Sequence, residues 1–176
     1  MNTARFFQVL AFTTSWEGGY VNHPADAGLA TNFGISQKAY DKSRREAGLE
    51  LQSVQMIERL EVFNIYKEDY WLAGKCEHLA APLDLAHFDT CVNFGVSHAA
   101  MFLQQALGVT VDGVIGGETL KAAKNCDAVA VAVSICEMRI GFRYDRCEQR
   151  PDQKVFLQGW LNRDNALKKA CQAVTV

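Results

Sequence analysis

Two carboxylic acids and a threonine stand close together in the stretch Trp16–Ser36, WEGGYVNHPADAGLATNFGIS. Glu17 precedes a glycine pair, Asp26 follows it nine positions on, and Thr31 comes shortly after. Glu17 falls in the last turn of an apolar-periodic segment over residues 4–17, where the helix dipole disfavours negative charge. Trp16, Tyr20 and Phe33 add aromatic surface around it, and both effects favour the protonated acid. A carboxylic acid held protonated near neutral pH is what glycosidic cleavage needs, because the leaving oxygen takes up a proton in the transition state. That chemistry usually asks for a second carboxylate across the scissile bond. Asp26 meets the need from a loop able to fold back over the helix end, and the Thr31 hydroxyl is of a type that holds a water opposite Glu17. The same residues also read as turn chemistry, PADAG as an Asx-turn and TNFG as a cap or turn. Taken alone, they support the two readings equally.

The elements that position these residues are helical almost throughout. The first helix, 4–17, stops at Gly18-Gly19, and 20–35 form an irregular loop or small hairpin. Ser36 caps a helix to about Ala47, ended by Gly48, and a longer helix runs from Ser53 to Gly74. Pro82 opens a helix closing at Gly95, and Ser97 opens one stopped by Gly108. After the turn-rich VTVDGVIGGETL a short helix reaches Asn125, then Asp127 caps a long one and Pro151 opens the last. The apolar run 128–135 predicts a helix buried on most sides. The fold class is all-α, or mainly α with a small β-hairpin near 20–35.

Around the acid, Tyr20 and Asn32 are placed to bond sugar hydroxyl or acetamido groups. Asp89 and Asn93, four apart, share one face of the helix that ends at Gly95 and are further candidates for substrate binding. The competing structural roles are packing for Tyr20, turn satisfaction for Asn32, and polar helix surface for Asp89. VDGVIGGETL gives a tight Asp-Gly turn followed by a capped helix, which is architecture rather than a second catalytic site.

Composition narrows the alternatives. The chain has 176 residues and a formal net charge of -2, so no basic surplus argues for nucleic acid. No stretch approaches the roughly 20 apolar residues of a membrane-spanning helix, so no membrane insertion is expected. The N-terminus carries no clear signal peptide, which implies synthesis in the cytoplasm. Six cysteines show no C-x-x-C pair, and they are expected to be reduced and packed. Asp84, His87 and Cys91 can share a helix face, again by packing, and neither metal nor cofactor is expected.

EGGYVNHPADAGLATNFGIS closely resembles the N-terminal motif of the glycoside hydrolase family 108 N-acetylmuramidases, with Glu17 on that family's catalytic glutamate. The Glu-x8-Asp spacing followed by threonine also resembles the triad of phage-type lysozymes. IYKEDYW, FDTCVNFGVSHAAMFLQQALGV, VDGVIGGETL and FLQGWLNR look like the blocks that follow, including the C-terminal predicted peptidoglycan domain. Leu29 departs from the motif, standing where a second glycine is usual. The resemblance implies a lysozyme-like, two-lobed helical fold with a muramidase region over 1–95 and a peptidoglycan-domain-like region over 96–176, packed as one compact unit. It implies a monomeric hydrolase of bacterial peptidoglycan acting in the periplasm, with Glu17 as general acid and Asp26 and Thr31 acting on water. A holin or secretion machinery would give access to the wall, for phage lysis or for protein export. A peptidoglycan-binding module with a silent site, and a lytic transglycosylase or chitinase-like enzyme, are the alternatives.

Overall fold

The computed structural model describes residues 3–21 and 30–173, so Asp26 and Leu29 lie outside the described residues. The chain forms two compact units, residues 2–69 and 70–176. That division falls earlier than the 95/96 boundary read from the sequence. The reason is that the helix ending at Phe94 packs among the C-terminal helices.

In the first unit, α1 (Thr3–Thr14) buries Phe6, Val9 and Thr13, one stripe of the helix. Phe6 meets the ring of Phe63 edge-on at 5.2 Å, and Phe7 lies 5.0 Å from the same ring. The helix tightens as it ends, with the Trp16 N–H on the Thr13 carbonyl at 3.2 Å and the Glu17 N–H on the Thr14 carbonyl at 3.1 Å. Strands β1 (Thr31–Asn32) and β2 (Ile35–Ser36) pair antiparallel, Thr31 opposite Ser36 and Asn32 opposite Ile35. Their two-residue turn, Phe33-Gly34, has φ of 50° and 74° at its two positions, the mirror-image geometry that follows strand twist. Val21 bridges Thr31 from the other side. Helix α2 (Gln37–Glu46) begins where Ser36 accepts the Ala39 N–H, as the sequence indicates.

The helix expected from Ser53 begins later. Ser53 caps only a 3-10 turn, Val54–Met56, and extended backbone at Ile57 then interrupts the run. Helix α3 (Arg59–Ile65) starts anew, with the Glu61 carboxylate accepting the Glu58 N–H at 3.0 Å. Glu61 also accepts the Tyr40 hydroxyl at 2.6 Å and pairs with Arg44, which ties α2 to α3. These partners outweigh the opposing effect of burial and hold the Glu61 carboxyl below the usual range. The chain continues from α3 in a wider π-helical turn, Tyr66–Leu72.

The second unit is built around α4 (Leu83–Phe94), whose residues from Leu83 to Cys91 are all buried. Helices α5 (Val96–Leu107), α7 (Ala128–Gln149) and α8 (Lys154–Gln172) pack against it, and α6 (Gly117–Lys124) packs on α5. Gly108 closes α5 with φ of 67°, and Asp127 caps α7 by accepting the N–H groups of Val129 and Ala130. Only one face of the run 128–135 is buried, that of Val131, Ala132 and Ile135, while Ala130 is exposed. The VDGVIGGETL loop is held by Gln104. Its carbonyl accepts the Asp112 and Gly113 N–H groups at 3.1 and 2.9 Å, and its amide donates to the Asp112 carboxylate at 2.7 Å. This is the architectural role expected of the loop. Cys76, Cys91, Cys136, Cys147 and Cys171 are buried thiols. Among the described residues no helix is long and apolar enough to cross a membrane.

Candidate active site

Glu17 sits one short turn beyond α1, half-buried, with its carboxyl group directed at the turn between β1 and β2. A Cβ built on Gly34 would stand 2.6 Å from Glu17 Oε2, 2.8 Å from Glu17 Cδ and 2.8 Å from the Tyr66 hydroxyl. A side chain at position 34 would force the Glu17 carboxyl group to shift, and Gly34 also has positive φ, so glycine suits this position for two separate reasons. The Tyr66 hydroxyl donates to the Phe33 carbonyl at 2.8 Å, which fastens the turn to the start of the π-helical segment. The carboxyl group, a bare glycine and a tyrosine hydroxyl therefore meet at one spot. The glycine lets the acid pack directly against the turn, in space that a side chain at position 34 would take.

Thr31 lies in the same hairpin, half-buried, with its backbone paired to Val21 at 2.8 and 2.9 Å. Tyr20, Trp16 and Phe33 are all exposed, so they offer open aromatic surface near the acid rather than a closed cage. Asn32 departs from its expected role. It is buried, and its amide donates to the Val54 carbonyl at 3.2 Å and the Gln55 carbonyl at 3.4 Å, anchoring the hairpin to the 3-10 turn. Its N–H donors are thereby spent on backbone carbonyls.

Asp89 also departs from expectation. It is fully buried in the second unit, its Oδ1 accepting from Arg163 at 2.8 Å and its Oδ2 contacting Arg139 at 2.9 Å. Arg139 bridges to Asp164 as well, and Arg143 contacts the other Asp164 oxygen at 3.2 Å. Burial alone would push the Asp89 carboxyl up, but Arg139 and Arg163 outweigh it and hold the group below the usual carboxylate range. Asp89 is a structural ion-pair partner, not a sugar ligand. Asn93, its neighbour on the helix face, accepts from Arg143 at 3.3 Å and lines an open pocket of this unit.

A second cluster was not foreseen as a donor set. One ligand atom each of Cys76, His87 and Cys91 lies within 4.8 Å of the others, all three buried. Two thiols and an imidazole are donors of the type that thiophilic ions select. His87 Nε2 is 3.6 Å from Cys91 Sγ and 3.0 Å from the Gly74 carbonyl. The Cys91 thiol is drawn down to about 5, first by its hydrogen bond with Cys76 and then, against burial, by His87.

Sequence spacing brought Glu17 and its hairpin to notice but gave no signal for Tyr66, which reaches the turn from far along the chain. The Asp89–Arg163 pairing is equally non-local.

A mainly α chain with a carboxylic acid one turn beyond its first helix, set against a small hairpin, has a lysozyme-like fold. Residues 10–95 match the family described as glycosyl hydrolase 108, and residues 98–165 match the predicted peptidoglycan domain. Over residues 10–95 the chain belongs to the glycosyl hydrolase 108 family, and with the peptidoglycan domain that follows it is a peptidoglycan hydrolase. The structure of Brucella abortus SagA is similar over 97% of this chain and 95% of that one, with a TM-score of 0.81 and 29% sequence identity. No curated protein matches the chain in sequence.

Proposed function

We propose that this hydrolase is an N-acetylmuramidase that cleaves the β-1,4 bond between N-acetylmuramic acid and N-acetylglucosamine. Glu17 is the general acid that protonates the leaving oxygen. Asp26 and Thr31 act on the water that completes hydrolysis, and Tyr20 contributes to sugar binding. The observation that carries this reading is the close packing of the half-buried Glu17 carboxyl group against Gly34 and beside the Tyr66 hydroxyl, which holds the acid at the hairpin turn.

The enzyme acts in the periplasm, in phage lysis or in opening the wall for protein export; a cell-wall substrate supports this reading. The bond specificity is tested by digesting purified sacculi, reducing the products with borohydride and identifying the reduced sugar by mass spectrometry. Reduced N-acetylmuramic acid ends are expected. Reduced N-acetylglucosamine ends, or 1,6-anhydro ends that borohydride leaves untouched, would refute the muramidase assignment.

A further inference from the structure

The second unit carries an open pocket of about 480 Å³, a size typical of small-ligand sites. One side is aromatic. Phe156 and Trp160 lie one helical turn apart on α8 with ring centroids at 5.8 Å, and Phe156 is 57% exposed. The other side is cationic. Arg143 stacks over the rings of Phe94 at 4.2 Å and Trp160 at 5.0 Å, held in place by Asp164 and Asn93. Its countercharge is shared, because Asp164 also pairs with Arg139. Arg146, one turn along α7, is exposed, and its hydrogen-bond partner is the neutral Gln153 side chain at 2.6 Å. Asp152 feels the Arg146 charge, but the direct hydrogen-bond partner of this exposed guanidinium is the neutral Gln153. Exposed aromatic faces beside such a cation form a surface complementary to a sugar that carries an anion.

We infer that this pocket binds the stem-peptide-bearing amino sugar of peptidoglycan, the sugar face against Phe156 and a stem carboxylate on Arg146. The inference rests on the peptidoglycan substrate proposed above and deepens it. It gives the second unit recognition of the peptide-substituted polymer, separate from the bond-breaking residues of the first unit. Amino sugars present axial C–H faces that stack on aromatic rings, and stem peptides carry several free carboxylates, so this polymer supplies both partners at once. Arg143 is the positioning residue: its stacked guanidinium fixes Trp160 and adds positive charge behind Arg146.

The experiment measures binding of the full chain to two purified fragments by calorimetry: the disaccharide tetrapeptide released by muramidase digestion, and the same disaccharide stripped of its peptide. The unaltered protein should bind the peptide-bearing fragment at least about tenfold more tightly. Arg146→Glu should remove that advantage and leave the peptide-free disaccharide unchanged, whereas Phe156→Ala should weaken both. Both side chains are exposed, so the melting temperatures should stay within a degree or two of the unaltered protein. Equal affinity for the two fragments, or unchanged binding by Arg146→Glu, would overturn the inference. Clearing of sacculi by the same samples reports on the muramidase reading independently. A protein that binds the fragments through Arg146 yet releases no reducing ends would sink the catalytic reading and keep the pocket.

Discussion

Gly34→Ala is the sharpest structural perturbation of the proposed acid. A methyl group there would stand 2.6 Å from Glu17 Oε2 and 2.8 Å from the Tyr66 hydroxyl, in a backbone with φ of +74°. The left-handed backbone alone costs an alanine about 1–2 kcal/mol. In a chain of this length that corresponds to a fall in melting temperature of roughly 3–6 °C. The steric conflict acts differently. The flexible carboxyl end is what yields, so the acid is displaced by about an ångström from the position it holds over the turn. A displacement of that size costs on the order of 100-fold in rate when the group transfers a proton in the transition state. Gly48 supplies the control, since it has φ of +68° and nothing within 4 Å of its added Cβ. Gly48→Ala should lose about the same stability and keep full activity. The assay pairs thermal melts by circular dichroism with release of reducing ends from sacculi. If Gly34→Ala and Gly48→Ala retain equal activity, the crowding of Glu17 by residue 34 has no bearing on catalysis and the reasoning fails.

Further outcomes follow from the second unit. Asp164→Ala should cost about 3–5 kcal/mol, because it leaves Arg139 and Arg143 without their shared carboxylate in a buried site, and urea unfolding measures that loss. Asp89 has a folded-state pKa below its unfolded value, so its contribution is fully present above the ordinary aspartate range and is lost as the pH falls through and below it. Unfolding midpoints should therefore drop on acidification below about pH 4, and a destabilised Asp89→Asn variant should show a shallower drop; parallel curves would remove Asp89 from the account. Among the six thiols, half-buried Cys126 should react with a disulfide reagent in the native protein while the five buried ones wait for unfolding. Rapid modification of all six in the folded state would contradict the packing described for the second unit.

Much of this architecture is legible in local sequence because its boundaries are set by local chemistry. Ser36 and Asp127 cap helices through their own side chains, and Gly108 ends one by adopting positive φ, so each boundary announces itself within a few residues. The segment after Ser53 departs from the expected helix because a serine cap is equally good for a 3-10 turn. What ends that turn is Ile57, whose extended backbone takes a buried side chain inward. The candidate site divides in the same way. Glu17 and the hairpin stand in one continuous motif, and the turn glycine among them is visible from spacing. Asn32 and Asp89 looked available for sugars because nothing nearby in sequence competes for them. Their true partners, the Val54 carbonyl and Arg163, come from 22 and 74 positions away. A side chain's exposure is decided by such distant partners, and no periodicity in one chain reveals them.

The central claim is that Glu17 donates the proton to the glycosidic oxygen, and one comparison tests it most directly: unaltered protein against Glu17→Gln on purified Gram-negative sacculi, following new reducing ends. The amide keeps the size and hydrogen bonding of the acid but has no carboxylic proton to give. The account predicts at least a ~100-fold loss of reducing-end release, with sacculus binding and melting temperature retained. Reducing ends released by Glu17→Gln at the rate of the unaltered protein would contradict it.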